Sequence, residues 1–314
     1  MSKILITGGT GLVGTALTDL LLQKGYSVVI LSRKKRKSNH ANLQYAFWDT
    51  EKGIIEDGII SAADYIVHLA GENVAEKRWT IKRKEEILTS RILPGKCIVE
   101  VLLQNPNNVK AVISASAIGW YGPDSNNSTK GFVETDSHNH DFLGETCFQW
   151  ENSMTGINEM GIRLVTLRIG IVLSEKGGTL KEFMKPLAFG IAACMGQGNQ
   201  MISWIHLDDL CSLILYSIEN KELKGIYNAV SPNPVSNKTL VSNLKKEMKK
   251  PLSVSVSIPS WFLKLLLGEL SIEILKSTTI SADKILKTGF LFKYPTIKNA
   301  LKQLVDKKNT VNTQ

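Results

Sequence analysis

The chain has 314 residues, of which 43% are hydrophobic and 21% are charged, and its formal net charge is +9. This length and composition allow a sizeable buried core, arranged as one large domain or two smaller ones. The excess lysine is dispersed and accompanies no zinc-finger, helix-turn-helix or RNA-binding signature, so it predicts a solvated surface and no nucleic-acid partner.

The cysteines and the apolar segments indicate the cellular compartment in which the chain is expected. The four cysteines are scattered without CxxC spacing, which predicts reduced, mostly buried thiols in a cytoplasmic protein. The N-terminal apolar run is too short, and too interrupted by glycine, for a signal peptide. The apolar segment 261–267 is much shorter than a membrane span and includes Lys264, so we predict a packed core helix and no membrane partner.

The most informative element is at the N-terminus. The first predicted strand runs into TGGTGLVG at residues 7–14, and a predicted helix and a second strand follow at once. In such a βαβ unit Gly8 permits a tight turn, Gly11 lets the backbone approach a pyrophosphate, and Gly14 lets the helix pack on the strand. Since the helix N-terminus also attracts phosphate, we predict a dinucleotide site rather than an ordinary glycine turn.

Apolar strand patterns alternate with helical patterns over the first half of the chain. The predicted strands are 3–7, 27–31, 45–47, 65–69, 109–114 and 163–168. The predicted helices are 12–24, 80–103 and 142–159. Continuous apolar strands separated by helices predict an α/β fold with a doubly wound parallel sheet, in which active sites lie beyond the carboxyl ends of the strands.

The alternation of strand and helix patterns ends after about residue 173 and returns only between 204 and 228. We therefore predict a nucleotide-binding domain of residues 1–172 and 203–229. Residues 173–202 and 230–314 are predicted to form a smaller, mainly helical C-terminal subdomain that caps the substrate site.

The second predicted strand ends in SRKKRK, with Ser32 followed by Arg33. Enzymes selective for NAD usually place an acidic residue here to bind the ribose 2′-hydroxyl, and this chain has none. A guanidinium at this position suits a 2′-phosphate, so the segment predicts NADP. A solvated basic loop is the alternative for Arg33 and the favoured interpretation for residues 35–37.

Later strand ends supply further candidate contacts. Asp49 follows the third strand, where an adenine contact is expected. Leu69, Ala70 and Gly71 end the fourth strand, where small residues let the backbone pass under the adenine ribose. His68 lies inside that apolar strand and is predicted to be a core histidine. The fifth strand ends in a serine-rich segment, 114–122, whose hydroxyls can hydrogen-bond a substrate oxygen.

Several motifs occur together at these strand ends and in the C-terminal part. They are residues 7–14, 69–71, 114–122, 167–168, 204–209, 228–235, 267–269 and 289–295. Together they resemble the extended short-chain dehydrogenase/reductase superfamily. More narrowly the chain is similar to its "epimerase family" group of nucleoside-diphosphate-sugar-epimerase-like proteins, which carry a C-terminal domain of unknown function (DUF1731). The C-terminal motifs are the more specific ones.

This resemblance implies a Rossmann fold with bound NADP(H) and a small C-terminal subdomain over the substrate cleft. It also implies a catalytic serine, which falls on Ser116, and in most of the superfamily a Tyr-x-x-x-Lys proton relay. Spacing from Glu151 and Arg168 places Leu143 at the tyrosine position and Cys147 at the lysine position. Neither can replace the usual group, so the standard relay is predicted to be absent.

The resemblance and the strand ends together predict the cofactor contacts. These are Gly8, Thr10, Gly11, Leu12, Val13, Gly14, Ser32, Arg33, Asp49, Leu69, Ala70, Gly71, Ser114, Ala115, Arg168, Gly170 and Ile171.

Substitutes for the missing relay are few. Tyr121 is the phenol nearest to Ser116 and is predicted as the candidate proton donor, with packing beside Trp120 as the alternative. Glu72, just after the fourth strand, is a second candidate acid or base, with a solvated carboxylate as its alternative. The loop histidines at 138–141 have no second ligand set at zinc spacing, so no metal is predicted.

The sequence thus predicts an NADP(H)-dependent oxidoreductase or epimerase-like protein that acts on a small polar carbonyl or sugar-like substrate. The alternative is a catalytically inactive, NADP(H)-bound sensor or scaffold, as the missing relay suggests. A homodimer is a further expectation from the family.

Overall fold

The computed structural model describes residues 1–125 and 131–311, so segments 126–130 and 312–314 of the predicted domains lie outside it. The strands are β1 (Lys3–Thr7), β2 (Ser27–Ser32), β3 (Leu43–Asp49), β4 (Ile54–Ile55), β5 (Tyr65–His68), β6 (Ala111–Ala117), β7 (Arg163–Ile169), β8 (Ile171–Leu173), β9 (Ile191–Met195), β10 (Met201–Ile202), β11 (Trp204–His206), β12 (Gly225–Ala229), β13 (Val235–Ser236) and β14 (Val254–Ile258). The helices are α1 (Leu12–Gln23), α2 (Ile81–Gln104), α3 (Phe142–Asn152), α4 (Gly156–Glu159), α5 (Thr179–Ala188), α6 (Leu207–Glu219), α7 (Asn237–Glu247), α8 (Ser260–Leu267), α9 (Leu270–Leu275), α10 (Asp283–Leu286) and α11 (Ile297–Val311).

Eight strands form the central sheet, in the order β12-β7-β6-β5-β1-β2-β3-β4. Neighbouring strands are parallel, except that the short edge strand β4 pairs antiparallel with β3. The six strands predicted from the first half of the chain are all in this sheet. The order reverses at β1, as in a doubly wound Rossmann fold, which confirms the predicted fold class.

Both faces of the sheet are buried because its strands are apolar on both sides. Along β1, Ile4 and Ile6 pack in one core cluster with Leu17 of α1, whereas Leu5 packs in the opposite cluster with Ile98 of α2. This alternation follows from the twofold period of a strand. The helices on both faces leave the carboxyl ends of the strands as the accessible edge.

A separate apolar cluster lies in the C-terminal part. It joins Leu180 of α5, Leu240 and Leu244 of α7, and Leu301 of α11. Short strands β9 and β14 pair beside it. These contacts are compatible with the predicted C-terminal subdomain, whose boundaries stay a prediction.

Two local predictions differ from the structure. The predicted helix at 142–159 is interrupted between α3 and α4, where the Ser153 hydroxyl bonds the Trp150 carbonyl oxygen at 2.7 Å and so competes with helical hydrogen bonding. The predicted core helix at 261–267 does form, as α8, but Trp261 is 68% exposed and only Leu263 is buried. Within the described residues, no helix is long and apolar enough to cross a membrane.

Candidate functional site

The strand order reverses at β1, which lies between β2 and β5, and in doubly wound sheets ligands bind in the crevice at such a point. Oγ1 of Thr7 is 2.8 Å from Nδ1 of His68, and it accepts the backbone N–H groups of Leu69 at 3.1 Å and Ala70 at 3.2 Å. These two N–H groups occupy both lone pairs of the hydroxyl, so its single proton is left to donate to Nδ1 of a neutral His68. Burial lowers the pKa of His68 to about 4, in agreement with a core histidine.

The glycine turn after β1 leaves no room for side chains. A Cβ built on Gly8 would lie 2.6 Å from the Leu69 carbonyl oxygen, and one on Gly14 would lie 2.3 Å from the Gly8 carbonyl oxygen. Gly8 also has φ of +68°, a region that glycine adopts readily. The backbone N–H of Gly11 bonds the Gly8 carbonyl oxygen at 3.0 Å and closes the turn. This bare backbone suits the close approach of a phosphate.

The start of α1 adds to this cradle. Thr10 and Gly11 are exposed, and no side chain of the described part of the chain caps the helix. The first N–H groups of a helix, here those of Leu12, Val13 and Gly14, have no partner within the helix. With the helix dipole they form an anion site, so the residues present fit the pyrophosphate of a dinucleotide.

Charged groups lie beside this crevice. Arg33 follows the last residue of β2, and its side chain is 79% exposed. Its Nη2 atom is 3.9 Å from Oε1 of Glu72, whose Oε2 atom lies 3.5 Å from Nη2 of Arg83. Glu72, the candidate acid or base, is therefore held between two guanidinium groups. Ser32 accepts the backbone N–H of Lys34 at 3.2 Å and fixes the turn after β2.

Two other predicted cofactor contacts fix strand ends. Oδ1 of Asp49 accepts two backbone N–H groups of the following turn, at 3.1 and 3.2 Å. A Cβ on Gly71 would lie 3.3 Å from the side chain of Arg91, whose Nη2 atom donates to the Glu72 carbonyl oxygen at 2.9 Å. These contacts hold the segment after β5 against α2.

The predicted catalytic serine forms a hydrogen bond to a buried ion pair. The Ser116 hydroxyl donates to Oε1 of Glu151 at 2.7 Å. The same carboxylate accepts Nε of Arg168 at 2.8 Å and Nη2 at 3.0 Å. The Arg168 side chain is 1% exposed and its guanidinium carbon lies 3.6 Å from the centre of the Trp120 ring. The structure thus brings Ser116 and Arg168 together, because both bind the carboxylate of Glu151.

Tyr121 completes the same network from the other side. Its hydroxyl donates to Oδ1 of Asn228 at 2.7 Å and accepts Nη1 of Arg168 at 3.0 Å. The side chain has 0% exposed surface, and burial raises its pKa to about 12. The carboxylate of Glu134 accepts the backbone N–H of Asn228 at 2.8 Å. The structure thus places Tyr121 inside the network, and its role as a proton donor stays a prediction.

Helix α3 presents apolar groups where the resemblance implies the proton relay. A Cβ built on Gly119 would lie 3.0 Å from Cβ of Leu143 and 3.6 Å from Sγ of Cys147. Burial raises the pKa of the Cys147 thiol to about 12, so it is protonated near neutral pH. Glu151, which accepts the Ser116 hydroxyl, lies one helical turn after Cys147.

The C-terminal part covers this end of α3. Leu270 of α9 is buried with Trp79 and Ile87, and Leu143 packs against the same cluster. Lys84 of α2 forms an ion pair with Glu269, just before α9. Together these contacts close an apolar surface over the position implied for the tyrosine.

A partly buried charge cluster joins the C-terminal end of α9 to the start of α3. Nζ of Lys276 lies 2.7 Å from Oε2 of Glu273 and 3.5 Å from Oδ2 of Asp141, and it donates to the Tyr121 carbonyl oxygen at 3.2 Å. Asp141 caps α3 by accepting the Gly144 N–H at 2.8 Å. Burial raises the pKa of Glu273, although the adjacent ammonium opposes this.

The remaining predicted contacts lie within the sheet. Ser114 is buried in β6, where its hydroxyl bonds the carbonyl oxygen of Ala115 at 3.3 Å. A Cβ on Gly170 would lie 2.8 Å from the Ser203 carbonyl oxygen, and Ile171 begins β8, which pairs with β11. Gly170 therefore permits close packing of the chain between β7 and β8.

Sequence reasoning missed Glu134 and Asn228 in this network. Asn228 follows Tyr121 by 107 residues, and no local spacing links the two. Glu151 was used only to set the spacing of α3. Its position four residues after the buried Cys147 offered no signal that it would pair with Arg168.

The chain matches two family models. Residues 4–229 match the NAD dependent epimerase/dehydratase family, and residues 258–304 match the domain of unknown function DUF1731. The epimerase family protein YfhF of Bacillus subtilis is 35% identical over 310 residues, covering 98% of this chain and 100% of YfhF.

Solved structures agree with this match. The human epimerase family protein SDR39U1, solved with NADPH, is 25% identical, with a TM-score of 0.85 over 97% of this chain and 99% of that one. The nucleoside-diphosphate sugar epimerase of Corynebacterium glutamicum is 29% identical, with a TM-score of 0.75 over 100% of this chain and 62% of that one. With its two family models and its full-length relatives, the chain belongs to the NAD dependent epimerase/dehydratase family, in the epimerase family group that carries DUF1731.

Proposed function

We propose that the protein binds NADP(H) in the crevice between β1 and β5 and acts as an epimerase-like oxidoreductase on a small polar carbonyl or sugar-like substrate. The observation that carries this proposal is the glycine turn, where Gly8 and Gly14 have no space for a Cβ and the start of α1 is open. The NADPH in the human relative supports it. A bound nicotinamide would accept or donate hydride.

The choice of NADP over NAD rests on Arg33. Its exposed guanidinium follows β2, the position at which Rossmann folds distinguish the ribose 2′-hydroxyl from a 2′-phosphate. The adjacent carboxylate of Glu72 is held by Arg83 as well, so Arg33 can turn to a phosphate without leaving Glu72 unpaired. Phosphate recognition by arginine is strong because the hydrogen bonds are charge-assisted.

The other predicted contacts would hold the rest of the cofactor. The backbone of residues 10–14 would bind the pyrophosphate, and Asp49 and residues 69–71 would border the adenosine. The C-terminal subdomain, predicted as residues 173–202 and 230–314, would cover the substrate.

The same geometry indicates an unusual proton path. Leu143 and Cys147 occupy the face of α3 that the family's tyrosine and lysine would use, and neither exchanges protons near neutral pH. The hydroxyl protons of Ser116 and Tyr121 are already donated to Glu151 and Asn228. We therefore propose that both hydroxyls position Arg168 and Glu151, and that a substrate proton comes from solvent. Glu72, held by Arg33 and Arg83 beside the proposed adenosine site, is too far along the cofactor to serve as the acid.

A second candidate function is a cofactor-bound sensor or scaffold without turnover. The observation that favours it is the packing of the half-buried Leu143 against the apolar cluster that contains Leu270 of α9, beside the position implied for the tyrosine. In this case α9 would report on cofactor binding rather than cover a substrate.

The test is to purify the protein without added cofactor, identify any retained nucleotide, and follow NADPH absorbance with a panel of aldehydes, ketones and sugar nucleotides. We expect NADP(H) to be bound and at least one substrate to be reduced, with Ser116→Ala retaining most of the rate. Bound cofactor without turnover would favour the sensor. Absence of any nicotinamide binding would overturn both functions.

A further inference from the structure

A cluster of metal-binding side chains lies just before and within the first turn of α3. The loop histidines were set aside in the sequence because no further ligand accompanied them. The structure supplies that ligand from the helix. Oε1 of Glu145 lies 3.2 Å from Nε2 of His138 and 3.1 Å from Nδ1 of His140. One donor atom from each of the three residues falls within 4.8 Å of the others.

These distances suit a small divalent cation. Zinc binds imidazole nitrogen and carboxylate oxygen at about 2.0–2.1 Å in tetrahedral geometry, so its ligand atoms lie roughly 3.3 Å apart. The two nitrogen-to-oxygen distances in this cluster need to grow by only a small amount to reach that value. Glu145 would therefore move little relative to either imidazole on binding, while the two imidazole nitrogens, which lie within 4.8 Å of each other, would adjust to about the same separation.

We propose that His138, His140 and Glu145 form a site for a divalent transition-metal cation of the zinc type. Two imidazoles and one carboxylate favour zinc over magnesium or calcium, which prefer oxygen ligands throughout. Three protein ligands leave the fourth position to water or to an exogenous group. His140 is 85% exposed, so a cation and this fourth ligand have direct access from solvent.

The surroundings indicate what the cation does. The ring of His138 stacks on Phe148 of α3, with centroids 4.4 Å apart, and meets Trp120 edge-on at 5.3 Å. The backbone N–H of Asn139 donates to the Trp120 carbonyl oxygen at 2.8 Å. A cation bound here fastens the loop before α3 both to that helix and to the segment after β6. The same Trp120 ring covers Arg168, so the site stabilises the wall of the buried ion-pair network.

The test uses untagged, full-length protein treated with chelator and then dialysed. Zinc chloride is titrated by calorimetry, and thermal unfolding is followed with and without zinc. His140→Ala is the main variant because this side chain is largely exposed and its loss leaves the packing intact. His40→Ala is the control, since His40 is exposed and its Nδ1 atom accepts the local Asn42 N–H.

We expect one zinc per chain, a rise in melting temperature on binding, and an affinity at least about tenfold weaker in His140→Ala but unchanged in His40→Ala. Failure to observe saturable binding up to about 1 mM zinc would overturn the site. An equal affinity in His140→Ala and the parent protein would overturn it as well, because the cation would then bind elsewhere. Neither result bears on nicotinamide binding, which uses other residues.

Discussion

The hydroxyl of Ser116 donates its proton to Oε1 of Glu151 across 2.7 Å, inside a carboxylate–guanidinium pair that is almost entirely buried. The hydroxyl expected to orient a substrate thus also ties β6 to the ion pair between Glu151 of α3 and Arg168 of β7. We propose that the residues that bind the cofactor and those that transfer protons are separate in this chain. The glycine turn at the end of β1 keeps the geometry of a dinucleotide site, whereas α3 offers apolar groups in place of a relay.

Loss of the Glu151 carboxylate should strongly destabilise the protein. Glu151→Ala would leave the Arg168 charge buried without its partner, and breaking such a pair costs about 3–5 kcal/mol. Urea denaturation, monitored by tryptophan fluorescence, measures this change in the free energy of unfolding. Glu151→Gln keeps an acceptor for Ser116 and should lose less.

A matched control is the exposed pair of Glu182 and Lys185, whose side chains are 61% and 58% exposed. Glu182→Ala should change the free energy of unfolding by no more than about 1 kcal/mol, because solvent screens exposed pairs. Equal, small effects of Glu151→Ala and Glu182→Ala would show that the buried network does not support the fold.

Arg33→Ala should reduce affinity for NADPH by about tenfold or more, which is about 1.4 kcal/mol, and leave affinity for NADH unchanged. The reason is that only NADPH carries the 2′-phosphate that this guanidinium would bind. Fluorescence titration with both cofactors measures the ratio. Arg36→Ala is the control from the same basic run and should preserve the preference for NADPH. A parallel loss of both affinities in Arg33→Ala would contradict cofactor selection by this residue.

His68 should make the protein less stable in mild acid. Its native pKa is about 4, below the usual value of 6.5, so the unfolded chain binds a proton that the native protein does not. Stability is thus complete above pH 6.5 and falls as the pH drops toward 4. Between pH 7 and pH 5 this residue should account for a loss of about 2 kcal/mol.

The measurement compares the pH dependence of unfolding for the parent protein and His68→Asn. The asparagine removes the titrating group but still offers Thr7 a hydrogen-bond partner. The variant will differ from the parent protein in its free energy of unfolding at any one pH. The quantity to compare is therefore the slope of that free energy between pH 7 and pH 5, which should be shallower in the variant. Identical slopes would show that His68 titrates normally in the native protein.

Local patterns predicted most of the nucleotide-binding half. The strand β1 has the predicted bounds, and the helices α1 and α2 lie within one residue of theirs, because apolar runs and helical periodicity reflect burial directly. The lack of room for a side chain at Gly8 and Gly14 was also predictable, since glycine is required where backbone segments approach closely. Such features depend on residues that are close in sequence.

Features that depend on distant residues were not predictable. The partners of Tyr121 come from β7 and β12, so its burial could not be read from the loop in which it lies. The exposed face of α8 was predicted as core because apolar composition gives no information about what covers a helix. Glu145 became a metal ligand candidate only when α3 placed it beside the loop histidines.

The most direct test of the account is calorimetric titration of NADPH into the purified protein, the Gly11→Ala variant and the Gly177→Ala control. A Cβ on Gly11 would lie 3.3 Å from the Gly8 carbonyl oxygen, a tight contact that a shift of a few tenths of an ångström relieves, and the methyl group would occupy the surface proposed to meet the pyrophosphate. Thermal unfolding of the variant checks that the fold is retained. A Cβ on Gly177 would meet its nearest neighbour at 3.9 Å. We predict one NADPH per chain, at least about tenfold weaker binding in Gly11→Ala, and unchanged binding in Gly177→Ala. Absence of NADPH binding to the parent protein, or equal affinity in all three, would contradict the account.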